Sequence, residues 1–101
     1  MKRAFAIVAL SIGATAPALA DLALATSKNC MSCHAVEHKV LGPSFKDIAT
    51  RYKDNKAAPE QLAAKIMKGG AGVWGPIPMP ANTQVSEADA KKLAAWVLST
   101  K

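Results

Sequence analysis

The sequence predicts an all-α domain. Apolar side chains recur at i, i+3, i+4 and i+7 in stretches that begin near Phe45, Leu62 and Ala90, the spacing of one helix face. Helix start and stop signals, namely Pro43, Pro59, Gly69-Gly70 and Ser86, fall at the edges of those stretches. No strand alternation of useful length appears after residue 21.

The N-terminus reads as a segment to be removed. Lys2 and Arg3 precede an apolar run from Ala4 to about Ala14, and small residues at Ala18 and Ala20 follow. That is the layout of a secretory signal peptide cleaved between Ala20 and Asp21, with residues 21 to 101 as a single domain. The apolar run is too short for a permanent membrane helix, and no later stretch could span a bilayer. Export would place the domain in the periplasm.

Loss of Lys2 and Arg3 leaves eleven basic against seven acidic residues, scattered rather than blocked. With no basic stripe and no interleaved aromatics, a nucleic-acid role is not supported. A domain this small leaves much of its surface wet and needs a disulfide, metal or cofactor as a staple.

In the exported domain, Asp21 can cap a first helix that runs through Leu22, Leu24 and Ala25 toward Cys30 and ends in the CMSCH stretch. A second helix follows Pro43, with Phe45, Ile48, Ala49 and Tyr52 as its apolar stripe. A third begins near Pro59 and Glu60, buries Leu62, Ala63, Ile66 and Met67, and stops at Gly69-Gly70. The last starts at Ser86, with Asp89 three residues on in a capping-box pattern, and its stripe is Ala90, Leu93, Ala94 and Val97. Between the third and fourth helices GGAGVWGPIPMPAN, residues 69 to 82, has neither helical nor strand period. A loop so long in so small a domain is usually functional.

The only two cysteines stand in CMSCH: Cys30, Cys33, then His34. In an oxidising compartment a cysteine pair normally becomes a disulfide, so a pair this close needs its own account. C-x-x-C-H is the attachment sequence of c-type haem, in which two thiols add across the vinyl groups and the histidine supplies an imidazole to iron. Two intervening residues put the sulfurs about one helical turn apart. A thioredoxin-like redox pair would want a βαβ context. Zinc on Cys30, Cys33, His34 and His38 would have too little chain between its ligands, and a strained disulfide is the remaining alternative.

A second axial ligand could come from His38, Met31, Met67 or Met79. Met31 and His38 are within four residues of His34 and tied to its side of the ring, while Met67 has core spacing with Leu62 and Ile66. Met79 stands amid Pro76-Ile77-Pro78-Met79-Pro80, where prolines hold the segment extended. Its plain alternative is a gap-filling core residue. Imidazole and thioether on both faces of iron leave no position for substrate, which points to electron transfer and not to catalysis.

Through CMSCH, VLGPSFKDIA, GVWGPIPMPAN and the terminal KLAAWVLSTK, the chain closely resembles the small bacterial class I cytochromes c of the c-551/c-552 type, over essentially all of residues 21 to 101. The resemblance implies a small cytochrome c fold, about four helices wrapped around one covalent haem c, with thioethers at Cys30 and Cys33 and axial ligands at His34 and Met79. It also implies that the Pro43 carbonyl accepts the outer N–H of the ligand histidine, although Pro43 also reads as a helix-starting breaker. Trp74 would donate toward a haem propionate, Lys65 would stand near the propionates, and Asn82 would hydrogen-bond near the methionine sulfur. Core packing, a solvated surface charge and a turn residue are the respective alternatives. The chain departs from the family at Ala81, where a second proline is common, at Ala25, where a larger apolar residue is frequent, and at Asn29, where glycine is frequent.

The implied function is that of a monomeric, periplasmic single-electron carrier between respiratory redox proteins. Its donor would be such as a cytochrome bc1-type complex, and its acceptor a terminal oxidase, nitrite reductase or peroxidase. A haem enzyme or gas sensor in which Met79 leaves iron is the alternative class, and a dedicated subunit of a larger oxidoreductase is a third.

Overall fold

In the computed structural model, residues 15 to 100 are described, with side chains from Ala20 onward; most of the expected leader therefore lies outside the described residues. Among the described residues four α-helices, α1 (Thr15–Ser27), α2 (Phe45–Tyr52), α3 (Ala58–Lys68) and α4 (Glu87–Ser99), carry the fold, and a single 3-10 turn covers Cys30–Ser32. There is no strand among them, only two isolated antiparallel bridges, His34 with Lys39 and Gly70 with Met79.

Helix α1 begins seven residues earlier than expected. Pro17 sits in its first turn, where a missing N–H costs nothing, and Ala18, Leu19 and Ala20 carry the helix on, so Asp21 lies inside it and does not cap it. The helix ends before the cysteines instead of running into them. Asn29 adopts φ 68°, ψ 19°, the left-handed region that asparagine tolerates better than most residues. Asn29 thus makes the sharp turn immediately before Cys30.

The other three helices lie where the spacing predicts them. Ser44, only 2% exposed, caps α2 by accepting the Asp47 N–H at 3.0 Å. Phe45, Ile48 and Ala49 are buried and Tyr52 is half-buried. Helix α3 has Pro59 in its first turn and stops at Gly69, whose φ of 74° is left-handed. A Cβ there would meet the Met79 carbonyl oxygen at 2.5 Å, so glycine serves both the turn and a close approach of the loop. Ser86 caps α4 by accepting the Asp89 N–H at 3.1 Å. That is the first half of the expected capping box.

Helix α4 is the element against which α1, α2 and α3 all pack. Its Ala90, Leu93, Ala94 and Val97 are buried as the stripe requires, and Trp96 joins them, meeting Phe45 edge-on at 5.3 Å between ring centroids. Ala25 is fully buried in this same core, so the small residue on α1 is accommodated. Half of the twelve buried apolar positions among the described residues are alanines. The larger apolar side chains of α2 and α3, Tyr52, Leu62 and Ile66, stay half-exposed because they face a cleft beside α4.

Candidate functional site

The cleft receives residues from every helix and both long connections, and its empty space is about 1260 Å³ including the open mouth. That is at or above the roughly 300–1,000 Å³ of ordinary small-molecule and cofactor sites. Its floor is the α4 face with Leu93, Ala94, Trp96 and Val97. One long edge is formed by residues 30 to 45, the other chain segment at the mouth by residues 70 to 80.

Cys30 and Cys33 are free thiols, both half-buried at the cleft. Burial pushes the Cys30 thiol up from its ordinary pKa; a backbone hydrogen bond works against this, and the nearby Cys33 adds to the rise. The tight turn bringing them together is held by N–H bonds from Cys33 and His34 to the Cys30 carbonyl, at 3.2 and 3.0 Å. Among the described residues no group of three or more His, Cys, Asp or Glu is placed to hold a metal ion by itself.

His34 is buried, 9% exposed, and every side of its ring is specified. Nδ1 lies 2.8 Å from the Pro43 carbonyl oxygen. A carbonyl can only accept, so Nδ1 carries the proton and donates, which leaves the Nε2 lone pair available. Phe45 stacks on the imidazole at 5.2 Å and 27°. Gly42 passes so close that a Cβ would stand 2.6 Å from Cε1 of the ring, and its N–H donates to the Cys33 carbonyl at 2.8 Å. Phe45 enters the sequence reading only as core. A lone glycine such as Gly42 carries no sequence signal until the imidazole is seen against it.

The second edge brings Met79 to the cleft, half-buried. Its backbone is set by reciprocal bonds with Gly70, N–H of Gly70 to the Met79 carbonyl at 3.0 Å and N–H of Met79 to the Gly70 carbonyl at 2.7 Å. Of the other candidate iron ligands, Met31 and Met67 pack against the core and His38 is exposed. None of the three lines the cleft.

Lys65 and Trp74 also line the cleft. Lys65 runs beneath Gly70, where an added Cβ would meet its Nζ at 2.7 Å. Trp74 is 39% exposed, so it is not a core residue. The Arg51 guanidinium covers its ring at 4.7 Å, a contact between residues 23 apart that no sequence period announces. Asn82, expected near the methionine sulfur, spends its side-chain amide on the Ile66 carbonyl at 2.9 Å, and its own N–H reaches the same oxygen at 3.1 Å. It fastens the end of the loop to α3.

These features suit a large, flat, apolar group held covalently. The cleft presents apolar side chains that a soluble fold would otherwise bury, two thiols at one edge, an imidazole with its lone pair free, and a thioether from a separate segment. Lys65 adds a cation to the lining.

The cytochrome c family model matches residues 22–101. Cytochrome c-552 of Nitrosomonas europaea is 54% identical over 97 residues, covering 96% of this chain and 92% of its own. Cytochrome c-552 of Hydrogenobacter thermophilus is 46% identical with both chains covered in full. The crystal structure of wild-type Nitrosomonas europaea cytochrome c552 superposes with a TM-score of 0.78 at 55% identity, over 79% of this chain and 99% of that one. With a matching fold and relatives of this identity, the chain belongs to the cytochrome c family, as a small bacterial class I member with one covalently bound haem c.

Proposed function

We propose that this protein is a periplasmic carrier of single electrons, holding its haem through thioethers at Cys30 and Cys33 and ligating iron with His34 and Met79. The observation that carries this reading is that His34, with Nε2 left free by the Pro43 bond, and Met79 reach one cleft from segments 45 residues apart, while the competing ligands do not. When bound, the haem supplies an Fe(III)/Fe(II) couple.

The chain's own residues set the terms of that couple. The carbonyl of Pro43 holds the imidazole plane and fixes its tautomer. The Met79 thioether is a soft donor that favours the ferrous state, and the apolar floor of α4 does the same by excluding water. Pro43 would therefore act behind the ligand, and Trp74 and Lys65, which line the cleft, would serve the haem propionates. Asn82 supports the loop that presents Met79. With His34 and Met79 both given over to iron, the haem would have no position left for substrate, and the role would be electron transfer rather than enzymatic turnover.

No helix among the described residues is long and apolar enough to cross a membrane. The leader-like start of the sequence supports export. The partners proposed are redox proteins, a donor such as a bc1-type complex and an acceptor such as a terminal oxidase, nitrite reductase or peroxidase. Cations at the rim such as Lys65 would steer the encounter.

The test is the visible spectrum of the purified protein in both oxidation states. Low-spin bands with the weak far-red band of sulfur on ferric haem are expected, and M79A should lose that band and bind carbon monoxide when reduced. A high-spin wild-type spectrum would overturn the axial assignment and return the enzyme or sensor reading. A mass equal to residues 21 to 101 plus one haem checks cleavage and attachment together.

A further inference from the structure

Residues 71 to 78 form the tip of the second edge, beyond the Gly70 and Met79 bridge. The tip has one internal bond, Gly72 N–H to the Gly75 carbonyl at 3.0 Å, and both glycines have positive φ. Val73, Trp74 and Ile77 in it are 37%, 39% and 59% exposed, so burial does little to hold it. Among the described residues a single hydrogen bond joins the tip to the rest of the protein. Arg51 Nη1 donates it to the Val73 carbonyl at 3.1 Å.

The same guanidinium lies over the Trp74 indole with Cζ 4.7 Å from the ring centroid. Arg51 makes no ion pair among the described residues, so nothing acidic competes for it. It stands in the last turn of α2, a helix anchored by buried Phe45, Ile48 and Ala49. A planar guanidinium can stack with its face and donate with its edge at once, which a lysine ammonium cannot. One side chain thus joins the firmly packed helix to the loosely packed tip through two adjacent residues.

We propose that Arg51 is a positioning residue that clamps Val73 and Trp74 over the cleft and so sets how far the loop shields the cofactor from water. This rests on reading the cleft as the haem site. Arg51 touches neither thiol nor axial ligand. Its effect passes through the indole and the loop backbone.

The experiment uses the haem-loaded protein and compares wild type with R51K and R51Q, reading amide hydrogen exchange by segment together with the reduction potential. In R51Q the amides of 71 to 78 should exchange at least about tenfold faster, as loss of one cation–π contact and one charged hydrogen bond requires, while α3 and α4 stay unchanged. R51K keeps the charge but loses the fork, so it should approach R51Q in loop exchange and also show a lowered potential, because water admitted to the cleft favours ferric iron. If R51K matches wild type in both readouts, Arg51 acts only as a charge and the clamp is overturned. Uniform acceleration across α2, α3 and α4 would also overturn it, since that is general loss of stability. In R51Q/W74L the two exchange effects should fail to multiply; independent effects would remove the indole from the clamp. Absence of covalent haem by mass would sink the proposed function, whereas loop exchange indifferent to Arg51 in a haem-loaded chain sinks the clamp alone.

Discussion

The two segments that line the cleft are built on opposite principles. Residues 30 to 45 are tied by short backbone bonds, Gly42 to Cys33 at 2.8 Å and Phe45 to Ala35 at 2.9 Å, and they bury His34 between Phe45, Gly42 and the Pro43 carbonyl. Residues 69 to 82 form one closed bridge, expose their large side chains, and depend on fasteners at each end and on Arg51 at the tip. His34 is thus overdetermined by packing. Met79 is carried by a loop stiffened mainly by its prolines, whose fixed φ limits the freedom the loop would otherwise have to lose. Loops with few buried contacts open most readily, so the Met79 side is where the site should first give way.

Changes at the firm segment should have the larger effects. C30A/C33A should abolish covalent attachment altogether, read as haem lost from the chain on a denaturing gel; haem that stays with the chain would contradict the thioether assignment. G42A should come next, because its Cβ would stand 2.6 Å from the imidazole. Overpacking of this kind costs about 1–3 kcal/mol, visible as a lower melting temperature of the holoprotein. If G42A melts like wild type, the ring is not as tightly confined as its neighbours indicate.

The loose segment should respond less in stability and more in local opening. N82A removes the side-chain bond to the Ile66 carbonyl at 2.9 Å, a loss of about 1 kcal/mol, and should weaken the far-red sulfur band before it moves the melting temperature much. An unchanged band on warming would show that Asn82 does not support Met79. The smallest effect belongs to the surface. Lys46 and Glu37 pair at 3.0 Å with side chains 40% and 72% exposed, so E37Q should change stability by at most about 0.5 kcal/mol in denaturant titration.

The same contrast governs what could be read in advance. Helices α2, α3 and α4 were legible because their apolar stripes and end signals are local, and Phe45, Leu62 and Ala90 report their period without any partner. The start of α1 was not, since Asp21 is a good cap by type but Ala18, Leu19 and Ala20 before it extend a helix equally well. CMSCH was legible because its chemistry lies within five consecutive residues. Arg51 carried no signal, because its contacts with Val73 and Trp74 join residues that only the fold brings together. Asn82 was singled out, yet its direction toward Ile66 depends on where α3 ends relative to the loop.

What the amino-acid sequence determined by itself was therefore the helical class, the places where three helices sit and the chemistry of the pentad, all set by interactions within a few turns of chain. Only the tertiary structure decided that His34 would donate to Pro43, that Met79 and none of Met31, His38 or Met67 would reach the cleft, and that one arginine would hold the loop tip. Those outcomes depend on the packing of α2 and α3 against α4, which puts distant residues within hydrogen-bonding and van der Waals reach, and such reach is not a property of sequence spacing.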